Sequence, residues 1–457
     1  MKSMKKIIIL CLAAGCFVGC GIHKPYTRPE VETAGLYGDV EGTAEEETIA
    51  DLKWQELFTD PELQSLIELG LSVNTDLQSA QLKIEEAHAA LQSARLAYLP
   101  TINLAPQGNL ASFNHVTPSK TYTLPVTAAW QFDLLMGGIS NQKRQIKAAY
   151  ELSKEYKQAV RAQLIGGIAN LYYTLLMLDE QVRITEATAN IWREFVEKAQ
   201  AMKEAGMFNE AAVAQYEATY ESVSSSLQDL LYTRTTVENN LNTVLARGPQ
   251  TIARGKLAEQ QLSQNLAVGV PVELLSNRPD VRLAEYSLMQ AYFATNVARS
   301  ALYPSISLSG TLGWTNNSGM GIQNPGDVIM NAAGSLLMPI FNARALRSQV
   351  IITKAQQEEA MLAYKQAVIN AGAEVNSALA QCQSARAKRE MRARQVEAMQ
   401  RAVASTELLM EHTSTTYLEV LTARQSLLSA ELSQVADRFD ELQGIVTLYQ
   451  ALGGGRE

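Results

Sequence analysis

The stretch DLQSAQLKIEEAHAALQSARLAYLPTINL, residues 76–104, returns without a gap as DVRLAEYSLMQAYFATNVARSALYPSISL, residues 280–308, each matched position shifted by 204. Identities fall at Asp76/Asp280, Ala80/Ala284, Ala87/Ala291, Ala90/Ala294, Ala94/Ala298, Arg95/Arg299, Ala97/Ala301, Pro100/Pro304, Ile102/Ile306 and Leu104/Leu308. Before the proline, small residues recur at the three-, four- and seven-residue intervals of a helix. After it, apolar and polar residues alternate as in a strand with two unlike faces. The chain reads as a duplication whose unit is a helix feeding a strand.

Strand character continues beyond each copy. Thr121 to Leu134 places Tyr122, Leu124, Val126, Ala128, Trp130 and Phe132 on one face, with Thr121, Thr123, Thr127, Gln131 and Asp133 on the other. In the second copy Ile306, Leu308, Leu312 and Trp314 oppose Ser305, Ser307, Ser309, Thr311 and Thr315. Noisier partners, Thr101 to Phe113 and Asp327 to Phe341, make four strands in two hairpins. Strands apolar on one side and rich in Ser and Thr on the other fit a transmembrane barrel, with lipid outside and water within. A soluble β-sandwich face is the competing reading of the alternation alone.

Each strand pair precedes a long proline-free tract, about Gln142 to Ala205 and about Leu346 to Glu411. As helices these would reach about 100 Å, several times a bilayer's thickness, so they must cross aqueous space. Their apolar seams are near-heptad: Val160, Leu164, Ile168, Leu171, Leu175, Leu178 and Val182 in the first, and Met361, Tyr364, Val368, Ala371, Val375, Ala378 and Cys382 in the second. Each tract breaks, at Gly206 to Asn209 and at His412 to Thr416, and returns as a shorter helix. Ahead of the first copy, Trp54 to Leu71 reads as one short amphipathic helix, and Asn74-Thr75-Asp76 supplies cap chemistry for the next.

Only 7% of residues are aromatic, which favours long helices over a compact mixed domain, and a net charge of -8 argues against a nucleic-acid surface. The N-terminus reads as a secretory leader: Lys2, Lys5 and Lys6 precede an apolar run, Ile7 to Val18, too short to span a membrane. Its end resembles a bacterial lipobox, with Phe17-Val18-Gly19-Cys20 the favoured site and Ala13-Ala14-Gly15-Cys16 the competitor. Cleavage before Cys20 makes that residue the lipidated N-terminus. Only Cys20 and Cys382 then remain, so no internal disulfide framework holds the protein together. Four scattered histidines, no phosphate-cradling loop and no nucleophile elbow give no reason to expect an enzyme, a metal or a cofactor other than lipid.

Four strands cannot close a barrel, and an open edge in lipid leaves unpaired amides costing several kcal/mol each. Several copies must therefore share one pore, with cyclic symmetry.

With these features in place, the chain resembles the TolC-type outer membrane factors, in the lipoprotein branch that serves resistance-nodulation-division (RND) efflux pumps. The resemblance rests on Lys24-Pro25-Tyr26-Thr27-Arg28-Pro29, on Trp54, Phe58, Asp60-Pro61 and Leu63, and on Asn74 with Asp76-Leu77. Leu274 to Val281 (LLSNRPDV), Tyr303 to Leu308 (YPSISL), Pro339-Ile340-Phe341, Tyr417 to Leu421 (YLEVL) and Ala451 to Gly455 (ALGGG) complete it. It implies a mixed α/β membrane protein, mainly long helices. Its homotrimer would form a twelve-stranded outer membrane barrel continuous with a periplasmic α-helical tunnel.

The implied order along the chain is a leader at 1–19, a lipidated and equatorial segment at 20–60, a first repeat at 61–246, an equatorial linker at 247–273, a second repeat at 274–452 and a tail at 453–457. The implied partners are a periplasmic adaptor, an inner-membrane RND-type transporter and outer membrane lipid, in a Gram-negative cell. Diacylglycerol and N-acyl groups on Cys20 would be the lipid. The implied function is a passive, gated exit duct for small molecules. A duct for ABC-driven protein secretion and a structural coiled-coil lipoprotein are the alternatives.

The resemblance also places a gate at the helical turns, Gly206 to Glu217 and Thr413 to Arg424, where the duplication aligns Val213 with Val420 and Glu217 with Arg424. Family tips carry Gly at the turn and an acid after it. Here Thr413 and Ala212 depart from that pattern, while Gly206 and Glu419 keep it. Tyr417, Val420 and Arg424 are expected to line or brace the constriction beside Val213, with Glu217 as partner of Arg424.

Overall fold

The computed structural model describes residues 25–31, 53–112, 118–132, 137–261, 278–316, 327–412 and 416–456. The leader, Cys16, Cys20, Lys24, Phe113, Asp133, Leu134, Leu274 to Asn277 and Thr413 lie outside them. Helices dominate: α1 (Trp54–Leu57), α2 (Pro61–Val73), α3 (Thr75–Leu96), α4 (Gly138–Glu204), α5 (Glu210–Val244), α6 (Pro279–Ser300), α7 (Ala345–Glu411) and α8 (Tyr417–Ala451). The strands are β1 (Thr101–Leu104), β2 (Gln107–Ala111), β3 (Ser119–Phe132), β4 (Ser305–Thr315) and β5 (Asp327–Leu337). The fold is mixed α/β and mainly helical. No described helix is long and apolar enough to cross a membrane, which says nothing of the strands.

The two halves carry elements of equal length: 22 residues in α3 and α6, 67 in α4 and α7, 35 in α5 and α8. The expected single helix from Trp54 to Leu71 is two helices. The Asp60 side chain accepts from the amide of Glu62 at 2.9 Å and Pro61 sits at the first helical position, so a new helix starts where a continuous one was expected. The cap at Asn74 forms as expected, accepting from the amides of Asp76 and Leu77, each at 3.0 Å.

The chain divides into two compact units. The first comprises the segment ending at Val31 with Leu82–Lys154 and Leu283–Gln366, and holds the sheet. Its order is β1-β3-β4-β5, all antiparallel, with β2 also on β3. β1 and β2 keep one register against β3, Leu104 facing Val126 and Gln107 facing Thr123, so they are one edge strand interrupted at Pro106, which has no amide hydrogen to give the ladder. Pro125 stands in the central β3 opposite Gly313, where a Cβ would come within 2.3 Å of the Leu124 carbonyl oxygen. Glycine is what allows this approach.

Register aligns like with like. Leu124, Trp314 and Val328 form one row across β3, β4 and β5, and Val126, Leu312 and Met330 the next, all exposed. The alternate rows are Thr127, Thr311 and Asn331, then Gln131, Ser307 and Ser335, with the Ser307 and Ser335 hydroxyls 2.7 Å apart. Beside the sheet, Arg28 donates to the Tyr364 hydroxyl at 3.1 Å and pairs with Glu285 at 3.2 Å. Tyr26 packs on Tyr292, and burial pushes its hydroxyl up to about 12.

The second unit (Glu32–Gln81, Glu155–Arg282, Ala367–Glu457) has a helical core. Leu57, Phe58, Leu63, Ile67, Ile168, Tyr172 and Tyr173 are buried at its centre. Val368, Ala371, Val375, Ala378 and Cys382 of the predicted α7 seam are buried too, and burial pushes the Cys382 thiol up, which suits packing rather than reactivity. The segment after α5 is strapped down by Arg254, which pairs with Asp179 at 2.5 Å and Glu238 at 2.7 Å. The chain end is held too: Arg278 donates to the Ala451 carbonyl at 2.7 Å, and Glu155 receives Arg282 at 2.7 Å and Arg456 at 3.1 Å.

Candidate gate at the helical hairpin tips

Both expected turns are where the sequence puts them, between α4 and α5 and between α7 and α8. At the first, Gly206 takes φ 75, a left-handed geometry that a side chain would resist. Asn209 then caps α5, its side chain accepting from the Ala212 amide at 2.9 Å, and Lys203 pairs with Glu210 across the turn. At the second, the cap position is Thr416 and residues 413–415 are not described.

An aromatic cluster fills the space behind the tips. Trp192 and Tyr216 are fully buried, and Phe195 stacks on Tyr216 at 5.8 Å between ring centroids. Tyr417 joins from α8, 6.0 Å from Tyr216 and 6.0 Å from Phe208. Val213 and Leu421 belong to the same core, and Val420 is fully buried. Burial pushes the Tyr216 hydroxyl up to about 12.

Arg424 spans the two hairpins. Its Nε donates to Glu407 Oε1 on α7 at 2.6 Å, while its guanidinium carbon lies 5.4 Å from the Phe195 ring centroid on α4, a cation–π distance. The side chain is 18% exposed, so water screens the pair only partly. Glu217 does not meet Arg424. It accepts from Gln200 at 3.0 Å, and in both hairpins the bond joins residues 17 apart. The two bonds are equivalent under a shift of 207, with donor and acceptor exchanged between the arms.

Of the expected site residues, the structure brings Val213 and Tyr417 into one apolar cluster, keeps Val420 buried on the same turn of α8 as Tyr417, and links Arg424 to that cluster through Phe195. Glu217 is exposed and bonds within its own hairpin, to Gln200. Sequence reasoning missed Trp192, Phe195, Gln200 and Glu407. The shift that paired Val213 with Val420 also pairs Gln200 with Glu407, so that signal was available. Trp192 and Phe195 have no such echo, since Met399 and Ala402 stand at their equivalents.

Among the described residues no group of His, Cys, Asp and Glu is placed to hold a metal ion. The arrangement offers apolar packing behind the tips and one cation that bridges the two hairpins. A family profile described as Outer membrane efflux protein matches residues 66–247 and again 270–454. The chain belongs to that family. Its function is efflux at the outer membrane.

Relatives of this efflux protein extend over its whole length. The solvent efflux pump outer membrane protein SrpC of Pseudomonas putida is 27% identical over 472 residues, covering 99% of this chain and 98% of its own. The cation efflux system protein CusC of Escherichia coli is 25% identical over 464 residues, covering 98% and 99%. Among solved structures, the open state of the Neisseria gonorrhoeae MtrE outer membrane channel superposes with a TM-score of 0.84 at 26% identity, covering 95% of this chain and 98% of that one.

Proposed function

We propose that three copies of this chain complete one twelve-stranded barrel in the outer membrane, four strand positions from each. The α4–α5 and α7–α8 hairpins of the trimer then enclose a periplasmic tunnel, and the whole is the exit duct of a tripartite pump. The observation that carries this reading is the sheet itself. It exposes Leu312, Met330 and Val328 on one face, and among the described residues β5 and the β1/β2 strand each lack a partner on their outer side. Large exposed apolar rows call for hydrocarbon, and open edges in hydrocarbon call for another strand. The double family match supports the two repeats, 61–246 and 274–452, as copies of one unit.

A periplasmic adaptor and an inner-membrane RND-type transporter supply the cargo and the energy, leaving the duct passive. Relatives named for solvents and for cations favour small molecules over secreted proteins as that cargo. Cys20 carries diacylglycerol and an N-acyl chain, with the leader 1–19 removed.

The gate is the tip cluster: Val213, Val420 and Tyr417 close the constriction, Arg424 ties the hairpins, and Glu217 braces the first hairpin through Gln200. Single-channel recording in planar bilayers, paired with a heat-modifiable trimer band in SDS, tests the duct. The expected result is a small resting conductance that rises in Arg424→Ala and in Glu407→Ala. A conductance unchanged in both overturns the gate and leaves the duct standing, whereas no conductance in any form overturns the duct.

A further inference from the structure

The sequence windows that enclose the strands are nearly free of acids. Between Glu86 and Glu151 stand Arg95, Lys120, Lys143, Arg144 and Lys147 against Asp133 alone. Between Glu285 and Glu358 stand Arg299, Arg344, Arg347 and Lys354 against Asp327 alone. In a chain whose net charge is -8, these windows are strongly basic.

Sheet register gathers seven of these cations at one end. Thr101 faces Ala129, Phe132 faces Ile306 and Ser305 faces Leu337, so the four strand ends that join α3, α4, α6 and α7 share one edge of the sheet. Arg95 and Arg299 occupy the last turns of α3 and α6. Lys143, Arg144 and Lys147 lie in the first turns of α4, Arg344 directly precedes α7, and Arg347 lies in its first turn. Lys120 and Asp327 belong to the opposite end, where Lys120 faces Leu110 and Asp327 faces Thr315.

A helix C-terminus accounts for Arg95 and Arg299, because cations there are favoured by the helix dipole. It does not account for the other five, two of which sit at a helix N-terminus where that dipole opposes them. Among the described residues, none of the seven side chains takes part in an ion pair or hydrogen bond; Lys354, by contrast, pairs with Glu358.

An aromatic fringe links part of the collar to the apolar face of the sheet. Trp130, on the exposed apolar face of β3, donates its indole N–H to the Tyr98 carbonyl at 2.9 Å, and the Lys143 ammonium lies 5.0 Å from the centre of the Tyr98 ring. Lys147 follows one turn later on the same face of α4. At the β5–α7 connection, Ile340 is 93% and Phe341 90% exposed, four and three residues before Arg344. Apolar side chains beside cations that have no ion-pair partner among the described residues, at the end of a sheet with an exposed apolar face, match a surface that meets acyl chains and headgroups together.

We propose that this collar binds the headgroups of anionic phospholipids in the leaflet that meets the strand bases. A free anion would satisfy the cations but not the adjoining apolar residues, whereas a phospholipid satisfies both. Binding there would fix the height of the barrel in the membrane. The proposal rests on the channel reading.

The test reconstitutes the full-length trimer in vesicles of equal phosphatidylethanolamine and phosphatidylglycerol, extracts it gently, and measures retained lipid by native mass spectrometry. Retained phosphatidylglycerol should exceed phosphatidylethanolamine several-fold. K143Q/R144Q/K147Q/R344Q/R347Q should return the ratio to that of the membrane. If that variant does not trimerise, salt on the native protein decides: enrichment should collapse as the Debye length shortens from about 10 Å at 0.1 M to about 3 Å at 1 M. Enrichment that survives either the substitutions or the salt overturns the proposal. So does an unchanged ratio accompanied by a shifted anion-to-cation permeability, which would put these side chains on the water-filled side. Failure of the channel reading has a different signature, no trimer band and no conductance in the native protein whatever the lipid.

Discussion

Tyr216 carries a hydroxyl that is buried with no hydrogen-bond partner among the described residues, and the Trp192 indole N–H beside it is in the same position. A buried donor without a partner costs about 1–3 kcal/mol, so the tip cluster keeps these groups against their polar preference for the sake of their rings. Tyr216→Phe is therefore expected to leave the trimer's stability unchanged or raise it, by up to about 1 kcal/mol, whereas Trp192→Ala should cost about 3–5 kcal/mol through the cavity it leaves. Calorimetry of the two variants checks the contrast. Since the folded-state pKa of Tyr216 is raised from 10.0 to about 12, its contribution is complete below pH 10 and is lost as the pH rises through 12. Tyr216→Phe should accordingly melt at a higher temperature than the native protein at alkaline pH, with little difference at neutral pH. At this scale the sequence was legible where the halves echo one another. The shift of 207 pairs Val213 with Val420, both buried, and it pairs Gln200 with Glu407 as well. The partner of Arg424 was misassigned, because an internal alignment reports equivalence and not contact.

The strands show what an element needs for its pattern to be read. β3 and β4 alternate cleanly in the sequence, and the register of the sheet brings their polar and apolar rows together. The stretch from Thr101 to Phe113 read as noise because Pro106 cuts one edge strand in two, and Trp54 to Leu71 read as one helix because an apolar period runs through a cap that breaks it. The elements up to α6 obey a shift of 204 and those from α7 a shift of 207, so the second copy holds three more residues between Ser300 and Ala345, in the span that carries its strands. If the two sheet faces meet lipid and water, a pair of adjacent positions must respond oppositely. Leu312→Lys should destabilise the barrel by about 2–4 kcal/mol at the bilayer midplane, while Thr311→Lys, one residue away, should leave stability nearly unchanged and shift permeability towards anions. Heat-modifiability on gels and reversal potentials in asymmetric salt read the two effects. Equal destabilisation by both would mean that the sheet is covered on both faces and that no water-filled barrel exists.

For the whole molecule, the two units close their hydrogen bonds in different ways. The helices of the second unit satisfy their amides internally and bury Leu57, Ile67, Ile168 and Tyr172 within one chain, so a single copy already has a core there. The sheet of the first unit does not: β5 shows its outer edge and Met330 is 84% exposed. Stability of the sheet should therefore depend on protein concentration and stability of the helices should not, since an element completed by a neighbour is stabilised by mass action. On dilution or warming in a mild detergent, the trimer band and the strand signal in circular dichroism are expected to disappear together, along with ion conductance. The helical signal should persist to a higher temperature. Cys20→Ala behind a conventional leader is expected to follow the same curve once assembled, because a barrel anchors itself and acyl chains add to its retention without deciding it. A monomer that keeps a native strand signal and passes no ions would show that the sheet is stable without neighbours, and the shared pore would have to be abandoned.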